Sequence, residues 1–327
     1  MAFGVVRKAQ PTASDVHINR PLTNISVAYV QSESEYIAGN MFPVVPVPKK
    51  SDTYHKYTKN DWFRDEAQKR APSTESAGSG YTLSTDTYNC DVWAFHKDID
   101  DQVRGNYDSP LDPDRDATEF VTQRLLLSRD RQFADTFFKT GVWDTDVTGG
   151  GDFTVWSDYT NSNPIGDVTN AKRAVKKTTG YVPNVLMIGG EVWDKLKDHS
   201  DIIERIKYTQ SAVDISPQLV AQVLGVQRIV IADAIYATNN EGAEEAYDQV
   251  FGKNALLCYA APRPSLLQPS AGYIFAWTGY GAGNAYGVTI GTFRMENLKS
   301  ERVEGELAYD MKVVAPDLGY FFSGVVA

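Results

Sequence analysis

The chain has 327 residues, of which 42% are hydrophobic and 23% charged, a composition typical of a globular protein with one large or two modest domains. Its net charge is −10, which argues against specific DNA or RNA binding because such binding draws much of its affinity from basic residues that neutralise phosphates. The sequence has no apolar run of the roughly 20 residues that span a bilayer and no signal-peptide pattern, so it predicts neither a membrane protein nor an exported one. Cys90 and Cys258 lie far apart, which predicts two reduced, buried thiols.

Residues 1–42 form the first segment. They mix polar and apolar residues without sustained periodicity, and they include Pro11 and Pro21. Such a segment buries little surface by itself. We therefore predict an extended arm that is ordered by contact with another surface.

Residues 43–97 predict a long two-stranded ribbon. Three prolines between residues 43 and 48 forbid a helix and disfavour a central strand. Tyrosine- and threonine-rich stretches near residues 54–57 and 81–88 are typical of strands, and "APSTESAGSG" between them is typical of a loop. An isolated ribbon is marginally stable in water, so we expect it to need a partner surface.

A long amphipathic helix is predicted over residues 114–140. Asp114 and Asp116 place acidic charge at its start, and Gly141 is a plausible stop. The apolar residues of this segment recur at three- and four-residue steps, which is the helical period. They are Phe120, Val121, Leu125, Leu127, Phe133, Phe137 and Phe138.

The region from about residue 168 to 265 alternates between helical and strand patterns, which indicates a small α/β unit. Its first helix has Asp167 or Thr169 as a candidate N-cap and ends at Gly180. An acidic stretch, "NNEGAEEAYDQVFGKN", is interpreted as a loop. From Gly272 onward the sequence is rich in strand patterns.

Two glycine-containing stretches suggest a phosphate site at first sight. In "NVLMIGGEVWDKL" a strand, Gly189 and Gly190 lead into a helix, but Glu191 and Asp194 lie in the first turn and would repel a phosphate. The pattern also lacks the residues of a P-loop or a Rossmann fingerprint, so we predict a structural turn. Spaced glycines in "TGYGAGNAYG", residues 278–287, have no helix after them and predict a flexible β loop.

Catalytic and metal-binding patterns are not found in the sequence. His17, His55, His96 and His199 lie in four separate segments without zinc-ligand spacing. The sequence contains no GxSxG motif. We therefore predict no catalytic residues, no cofactor and no metal, and a protein that is not an enzyme.

The order of these parts resembles the major capsid proteins of tailed bacteriophages, which share the Hong Kong 97-type fold. The two most similar stretches are "NVLMIGGEVWDKLKDHSDIIERIKY" and "ERVEGELAYDMKVVAPDLGYFFSGVV". The resemblance covers nearly the whole chain and implies an α+β fold of named parts. These parts are an N-terminal arm (1–42), an extended β-ribbon E-loop (43–97), a P domain (98–167) with a spine helix (114–140), an α/β A domain (168–265) and P-domain return strands (266–327).

The resemblance also implies a function. Such a protein self-assembles into hexamers and pentamers of an icosahedral head that encloses double-stranded DNA, is found in the virion, and assembles in the host cytoplasm. Its partners would be its own copies, a separate scaffolding protein, a portal and a decoration protein. Packaged DNA would be near it only by non-specific proximity, which suits the acidic charge.

Contacts between subunits are predicted from position alone. The candidates lie near the ribbon tip and along the long helix, and they are Trp62, Phe63, Arg64, Lys69, Arg70, Arg124, Arg129 and Arg131. Ordinary surface and intrachain pairing is the competing interpretation for each. Some relatives carry Lys–Asn cross-links, and Lys56, Lys59, Lys69 and Asn297 are candidates, but solvated or ion-paired lysines are favoured.

Two alternatives stay open. An encapsulin-type nanocompartment shares the fold but encloses cargo enzymes, and the length of the ribbon favours the phage. A cytosolic enzyme that uses the α/β region would be a monomer or a small oligomer with a concave polar site.

Overall fold

The computed structural model describes residues 31–32, 35–106, 112–206, 215–240, 242–265, 268–280 and 288–327. Most of the predicted arm and residues 281–287 of the glycine-rich loop lie outside the described residues.

Helices and strands are interspersed over the described residues up to Leu224, and strands predominate after it. The helices are α1 (Ala38–Met41), α2 (Lys59–Trp62), α3 (Asp101–Gly105), α4 (Pro113–Phe137), α5 (Pro164–Thr179), α6 (Gly190–Lys197), α7 (Ser200–Ile206) and α8 (Pro217–Leu224). The strands are β1 (Val44–Val47), β2 (Ser51–Tyr57), β3 (Leu83–Asn89), β4 (Asp91–Asp100), β5 (Thr145–Thr148), β6 (Val185–Gly189), β7 (Arg228–Ala232), β8 (Ile235–Ala237), β9 (Tyr247–Gln249), β10 (Ala255–Cys258), β11 (Gly272–Trp277), β12 (Thr289–Met295), β13 (Ser300–Val313) and β14 (Gly319–Ser323). A short 3₁₀ helix, Pro316–Leu318, precedes β14.

The first sheet is built around β13, the longest strand. On one side β13 pairs with β4, and on the other it pairs with β12 and then β11, all antiparallel. Strand β1 pairs in parallel with β11 at the sheet edge, where Pro46 can be accommodated although it has no N–H to donate. The proline-rich segment is therefore an edge strand.

Helix α4 packs across this sheet. Asp112 caps it by accepting hydrogen bonds from the backbone N–H groups of Asp114 and Arg115, and Pro113 occupies its first position. The helix approaches β13 at Gly305, where an added Cβ would lie 2.6 Å from Val121 Cγ1 and 2.7 Å from Leu125 Cδ1. The predicted long helix is thus present, although Phe120 is exposed.

The ribbon consists of β2, β3 and the connecting residues 58–82, and its base packs on the first sheet. Tyr88 stacks on Phe275 with ring centroids 4.7 Å apart, and Tyr54 contacts the same ring at 5.3 Å. Residues 91–97, predicted to belong to the ribbon, instead form part of β4 and pair with β13. Their apolar pattern fits a strand of the ribbon or a strand of the sheet, and only the pairing with β13 distinguishes the two.

The second sheet has the order β5-β14-β10-β6-β7, and β6, β7 and β10 come from the α/β region. Strands β6 and β10 are buried throughout. Strand β14 lies between β5 and β10, so residues 319–323 join this sheet and not the first one. One apolar core contains residues of both sheets, including Met187 and Leu307, and therefore joins them.

Three local predictions in this region can be compared with the structure. The helix α5 is capped by Asn163, which accepts from the Gly166 N–H at 2.8 Å; the prediction of Asp167 or Thr169 was wrong because Asn-Pro starts the helix earlier. Gly180 ends it as predicted, with a φ of 78° that favours glycine. The acidic stretch is not only a loop, since β9 pairs with β8 in a short hairpin.

Candidate assembly interface

The ribbon tip, defined as residues 57–63 and 81–83, carries an exposed aromatic cluster. Trp62, Phe63 and Tyr81 are 56%, 63% and 59% exposed. The rings of Tyr57, Trp62 and Tyr81 contact one another with centroids 5.7–6.0 Å apart. These contacts fix the rings relative to one another but leave most of their surface in water, and such a surface is typical of a protein-binding site.

A carboxylate fixes the backbone of the ribbon tip. Asp61 accepts hydrogen bonds from the backbone N–H of Thr82 at 2.8 Å and from its hydroxyl at 2.6 Å. These bonds hold the pKa of Asp61 below its ordinary value because they stabilise the charged carboxylate. The short helix that carries Trp62 is thereby tied to the strand that returns.

The ribbon tip also contacts the body of its own subunit. Lys59 Nζ lies 2.5 Å from Asp317 Oδ2. The ring of Phe63 lies against Gly180, where an added Cβ would be 3.3 Å from the Phe63 Cζ atom. In this structure the ribbon therefore lies along its own subunit.

The other predicted ribbon residues lie in the exposed loop that follows Phe63. Arg64 is 3.8 Å from Glu66, and Arg70 donates to the carbonyl of Thr74 at 2.5 Å. Lys69 is exposed beside them. The structure brings these residues into one loop that continues from the aromatic cluster.

The three predicted arginines of α4 have different surroundings. Arg124 lies over the ring of Phe120 at 5.2 Å, and Arg131 lies over Tyr236 at 4.6 Å. Arg129 is buried beside Asp130 on the inner face of the helix. A buried side chain cannot meet a second subunit, so we do not keep Arg129 among the proposed contacts.

Two of the lysines considered for cross-linking are ion-paired. Lys56 lies 3.0 Å from Asp86, which also accepts from the hydroxyl of Tyr54. Lys59 pairs with Asp317 as described above. The interpretation of these two side chains as ion-paired is confirmed.

A second exposed aromatic surface was missed by sequence reasoning. Trp93 and Phe95 of the edge strand β4 are partly exposed, and Phe95 contacts Phe120 of α4 with centroids 5.9 Å apart. Lys97 and Arg124 lie over the Phe120 ring and place positive charge beside this surface. The run "DVWAFH", residues 91–96, is the sequence signal for this surface, but its apolar pattern fits the predicted ribbon equally well.

A buried carboxylate that holds the end of the arm was also missed. Asp130 accepts hydrogen bonds from the backbone N–H groups of Ile37 at 2.9 Å and Ala38 at 3.0 Å. Burial raises the pKa of Asp130 to about 6. Asp130 interrupts the apolar stripe Leu126, Phe133 and Phe137, and this polar residue at helical spacing was the available signal.

The glycine turn proves to be a structural corner. A Cβ on Gly189 would lie 1.9 Å from the Gly252 carbonyl oxygen, and one on Gly190 would lie 2.1 Å from Asp233 Oδ1. The start of α6 thus already has a carboxylate of the chain against it, which disfavours a phosphate there. Gly189 is required by close packing against backbone, whereas a side chain at Gly190 would displace the Asp233 carboxylate.

The only serine–histidine contact recorded among the described residues lacks the geometry of a catalytic pair. His199 Nδ1 accepts from the backbone N–H of Asp201, so its Nε2 carries the proton and donates to the Ser162 hydroxyl 2.9 Å away. Ser162 in turn donates to the carbonyl of Asp158. A protonated Nε2 cannot take a proton from serine, so this buried contact connects two loops.

Over the described parts of the chain, no group of three or more acidic, histidine or cysteine side chains could hold a metal ion. In those same parts, no helix is both long and apolar enough to cross a membrane.

Comparison with known proteins gives full-length relatives. The chain is 24% identical over 318 residues to the major capsid protein of Burkholderia phage BcepMu, covering 93% of this chain and 95% of the relative. It is 27% identical over 320 residues to the major capsid protein of Pseudomonas phage JBD67, covering 95% of this chain and 97% of the relative. No family model matches the chain.

Solved structures give the same fold. A phage-related protein from Bordetella bronchiseptica has a TM-score of 0.66 at 23% identity and covers 90% of this chain and 94% of its own. The capsid of cyanophage P-SCSP1u has a TM-score of 0.58 at 13% identity, covering 98% and 96%. An encapsulin from Synechococcus elongatus also has a TM-score of 0.58, at 11% identity with 94% of each chain covered. The chain is therefore similar over nearly its whole length to the major capsid proteins of two bacteriophages, and its fold is the Hong Kong 97-type fold of solved phage capsids.

Proposed function

We propose that this chain is the major coat protein of a tailed-phage head. Its copies assemble into the hexamers and pentamers of an icosahedral shell around double-stranded DNA. The observation that carries the proposal is the similarity to two major capsid proteins over at least 93% of this chain and 95% of each relative. A match of this extent includes the ribbon, the long helix and both sheets.

The parts of the fold suggest how a shell is held together. Residues 1–42 serve as the arm and residues 43–90 as the E-loop. Residues 91–167 and 266–327 form the P domain and residues 168–265 the A domain, with β14 joining the second sheet. The ribbon tip is mostly exposed although it touches its own subunit, so we propose that it docks on a neighbouring subunit and that the arm does the same. Many weak contacts of this kind add up because every subunit repeats them.

The proposed contact residues fall in two groups. The ribbon group, with its exposed aromatic rings, is expected to supply apolar burial and consists of Trp62, Phe63, Arg64, Lys69 and Arg70. The helix group consists of Arg124 and Arg131, whose guanidinium groups lie over aromatic rings. Rings and guanidinium groups are enriched at protein interfaces, which supports both groups.

The remaining partners follow from the same role. The shell is part of the virion, assembly takes place in the host cytoplasm, and a separate scaffolding protein, a portal and a decoration protein are proposed partners. The net charge of −10 suits a container that packs DNA without binding it tightly.

A second candidate function is an encapsulin-type shell. It is favoured by one observation, the TM-score of 0.58 to the Synechococcus encapsulin, which equals that of the cyanophage capsid. The two full-length phage relatives weigh against it. Co-purification of shells with a cargo protein would support the encapsulin, whereas shells that take up DNA with phage packaging components would support the phage head.

The test is the particle size of the purified full chain, measured by size-exclusion chromatography and negative-stain electron microscopy. We expect rings or closed shells, with scaffold protein or a crowding agent added where the free chain stays monomeric. The double variant Trp62→Ala/Phe63→Ala should remain folded, because both rings are mostly exposed, but should fail to assemble. The control Leu298→Ala, at an exposed residue in the turn between β12 and β13, should assemble normally. A wild-type chain that stays monomeric under every condition would overturn the proposal.

A further inference from the structure

A contact between the ribbon tip and the body of the same subunit carries the inference. Lys59 reaches Asp317 at 2.5 Å, across 258 residues of sequence. Phe63, four residues further on, lies against Gly180. Gly180 and Asp317 are called the seat from here on. Two separate contacts, one charged and one apolar, therefore bring the ribbon tip to a single place on the body.

The seat is a rigid surface. Asp317 lies in the 3₁₀ helix Pro316–Leu318, which is anchored by the buried side chain of Leu318. Gly180 ends α5 with a left-handed backbone and has no side chain, so it leaves a flat surface for the Phe63 ring. The ribbon tip thus meets a preformed surface.

The contact with the seat is weak, whereas the ribbon base is firmly held. Lys59 is 40% exposed in its ion pair, and exposed ion pairs contribute little to stability. At the base, by contrast, Tyr88, Cys90 and Phe275 are buried together with Val47. The ribbon tip can therefore leave the seat while the base stays in place.

We propose that the seat holds the ribbon on its own subunit before assembly, and that this contact is released when the ribbon docks on a neighbouring subunit. The inference rests on the proposed shell function. In this proposal the ion pair between Lys59 and Asp317 is a latch, and it lowers the fraction of subunits whose ribbon is free to dock on a neighbour. The aromatic cluster, still exposed in the latched state, remains available to a competing surface.

Zero-length cross-linking tests where the ribbon lies. A carbodiimide joins a lysine amine to a carboxylate in direct contact, with loss of one water, and peptide mass spectrometry identifies the product. The Lys49–Asp52 pair, at 3.0 Å near the ribbon base, is the internal reference because it does not connect the ribbon tip to the body. Mixing unlabelled and nitrogen-15-labelled full chains distinguishes links within a subunit from links between subunits.

In the free subunit we expect a Lys59–Asp317 link whose two peptides always have the same isotope. In assembled particles the yield of that link should fall relative to the Lys49–Asp52 link, or hybrid-isotope links should replace it. An unchanged same-isotope yield in particles, or no such link in the free subunit, would overturn the latch while the particles themselves leave the shell function intact. A chain that never forms particles would overturn both, because no assembly would exist for the latch to delay.

A kinetic test uses Asp317→Asn, which removes the ion pair and keeps the size of the side chain. We expect assembly to begin up to about fivefold faster, the factor that corresponds to losing an exposed ion pair at the upper end of the usual range. The matched control is Asp52→Asn, which removes an exposed ion pair from the ribbon base and should leave the rate unchanged. An Asp317→Asn chain that assembles no faster than wild type would contradict the proposed delay.

Discussion

Substituting Asp130 tests whether a buried carboxylate holds the end of the arm on α4. The two variants are Asp130→Asn, which keeps one acceptor oxygen and removes the charge, and Asp130→Ala, which removes both acceptors. The carboxylate accepts the N–H groups of Ile37 and Ala38 and is fully buried. Asp130→Asn therefore tests the charge and one acceptor oxygen, and Asp130→Ala tests both acceptor oxygens.

The expected magnitudes come from burial and hydrogen bonding. Burial raises the pKa of Asp130 from 3.8 to about 6. Keeping the carboxylate charged at neutral pH therefore costs roughly 3 kcal/mol. An N–H group left without an acceptor costs about 1–3 kcal/mol. In Asp130→Asn the two effects oppose each other, so at neutral pH its unfolding free energy should lie between that of wild type and about 2 kcal/mol above it. Asp130→Ala leaves both N–H groups without an acceptor and should be less stable than Asp130→Asn by about 1–3 kcal/mol.

The pH dependence has a definite sign. Because the pKa of Asp130 is raised in the folded state, its contribution to the unfolding free energy is greatest below its ordinary pKa of 3.8. That contribution is lost as the pH rises through about 6. Between about pH 7 and pH 4 the wild type should gain stability relative to Asp130→Asn, by up to roughly 3 kcal/mol. Comparing the two proteins cancels the other titrating groups.

The assay is guanidinium unfolding of the free subunit at several pH values, with hydrogen exchange of residues 35–42 measured alongside. We expect faster exchange of this segment in Asp130→Ala, because the loss is local to the end of the arm. If the unfolding free energies of wild type and Asp130→Asn change in parallel with pH, folding does not raise the pKa of the Asp130 carboxylate. Unchanged exchange in Asp130→Ala would show that it does not hold the arm.

Three other predictions concern the body of the subunit. Gly305→Ala should destabilise it by about 1–3 kcal/mol in guanidinium unfolding, because the new Cβ would meet Val121 and Leu125; Gly291→Ala, in the neighbouring strand with open space around it, should have little effect. Burial lowers the pKa of His199. The stability that the neutral side chain contributes to the fold is therefore present above its ordinary pKa of 6.5 and is lost as the pH falls through the lowered value. Below about pH 6 the wild type should therefore lose stability relative to His199→Asn, and similar pH curves would argue against this. Asp98→Asn should cost about 1.5–3 kcal/mol, because it weakens a two-point contact in which Arg302 donates at 2.6 and 2.9 Å; an unchanged unfolding midpoint would contradict this.

Patterns that depend on neighbours in sequence were predictable. The long helix appears as α4 because its apolar residues recur at the helical period over many turns. The corner at Gly189 was predictable because a strand pattern, paired glycines and acidic residues stand next to one another. The exposure of the aromatic residues at the ribbon tip was also predictable, because a two-stranded ribbon is too thin to bury Trp62 and Phe63.

Features that depend on distant segments were not predictable in the same way. Asp130 makes its two hydrogen bonds to residues more than 90 positions earlier, so its partners could not be read locally. The strand β4 has an apolar pattern that fits a ribbon or a sheet, and only its pairing with β13 decides between them. The contact of Lys59 with Asp317 crosses 258 residues and follows from the direction of the whole ribbon.

The proposed interface combines a modest contact with many copies. Trp62, Phe63 and Tyr81 each expose more than half of their surface, together on the order of 350 Å². Covering that area gives at most roughly 9 kcal/mol before the costs of association and of ordering the loop at residues 63–82. A single ribbon contact between two subunits is therefore expected to be weak, and mismatched contacts can dissociate. In a closed shell each subunit would donate one ribbon and receive another, so the same weak contact would hold every subunit at several points. A ribbon of high intrinsic affinity would lose this capacity for correction, which gives a physical reason for a ribbon tip that is aromatic but small.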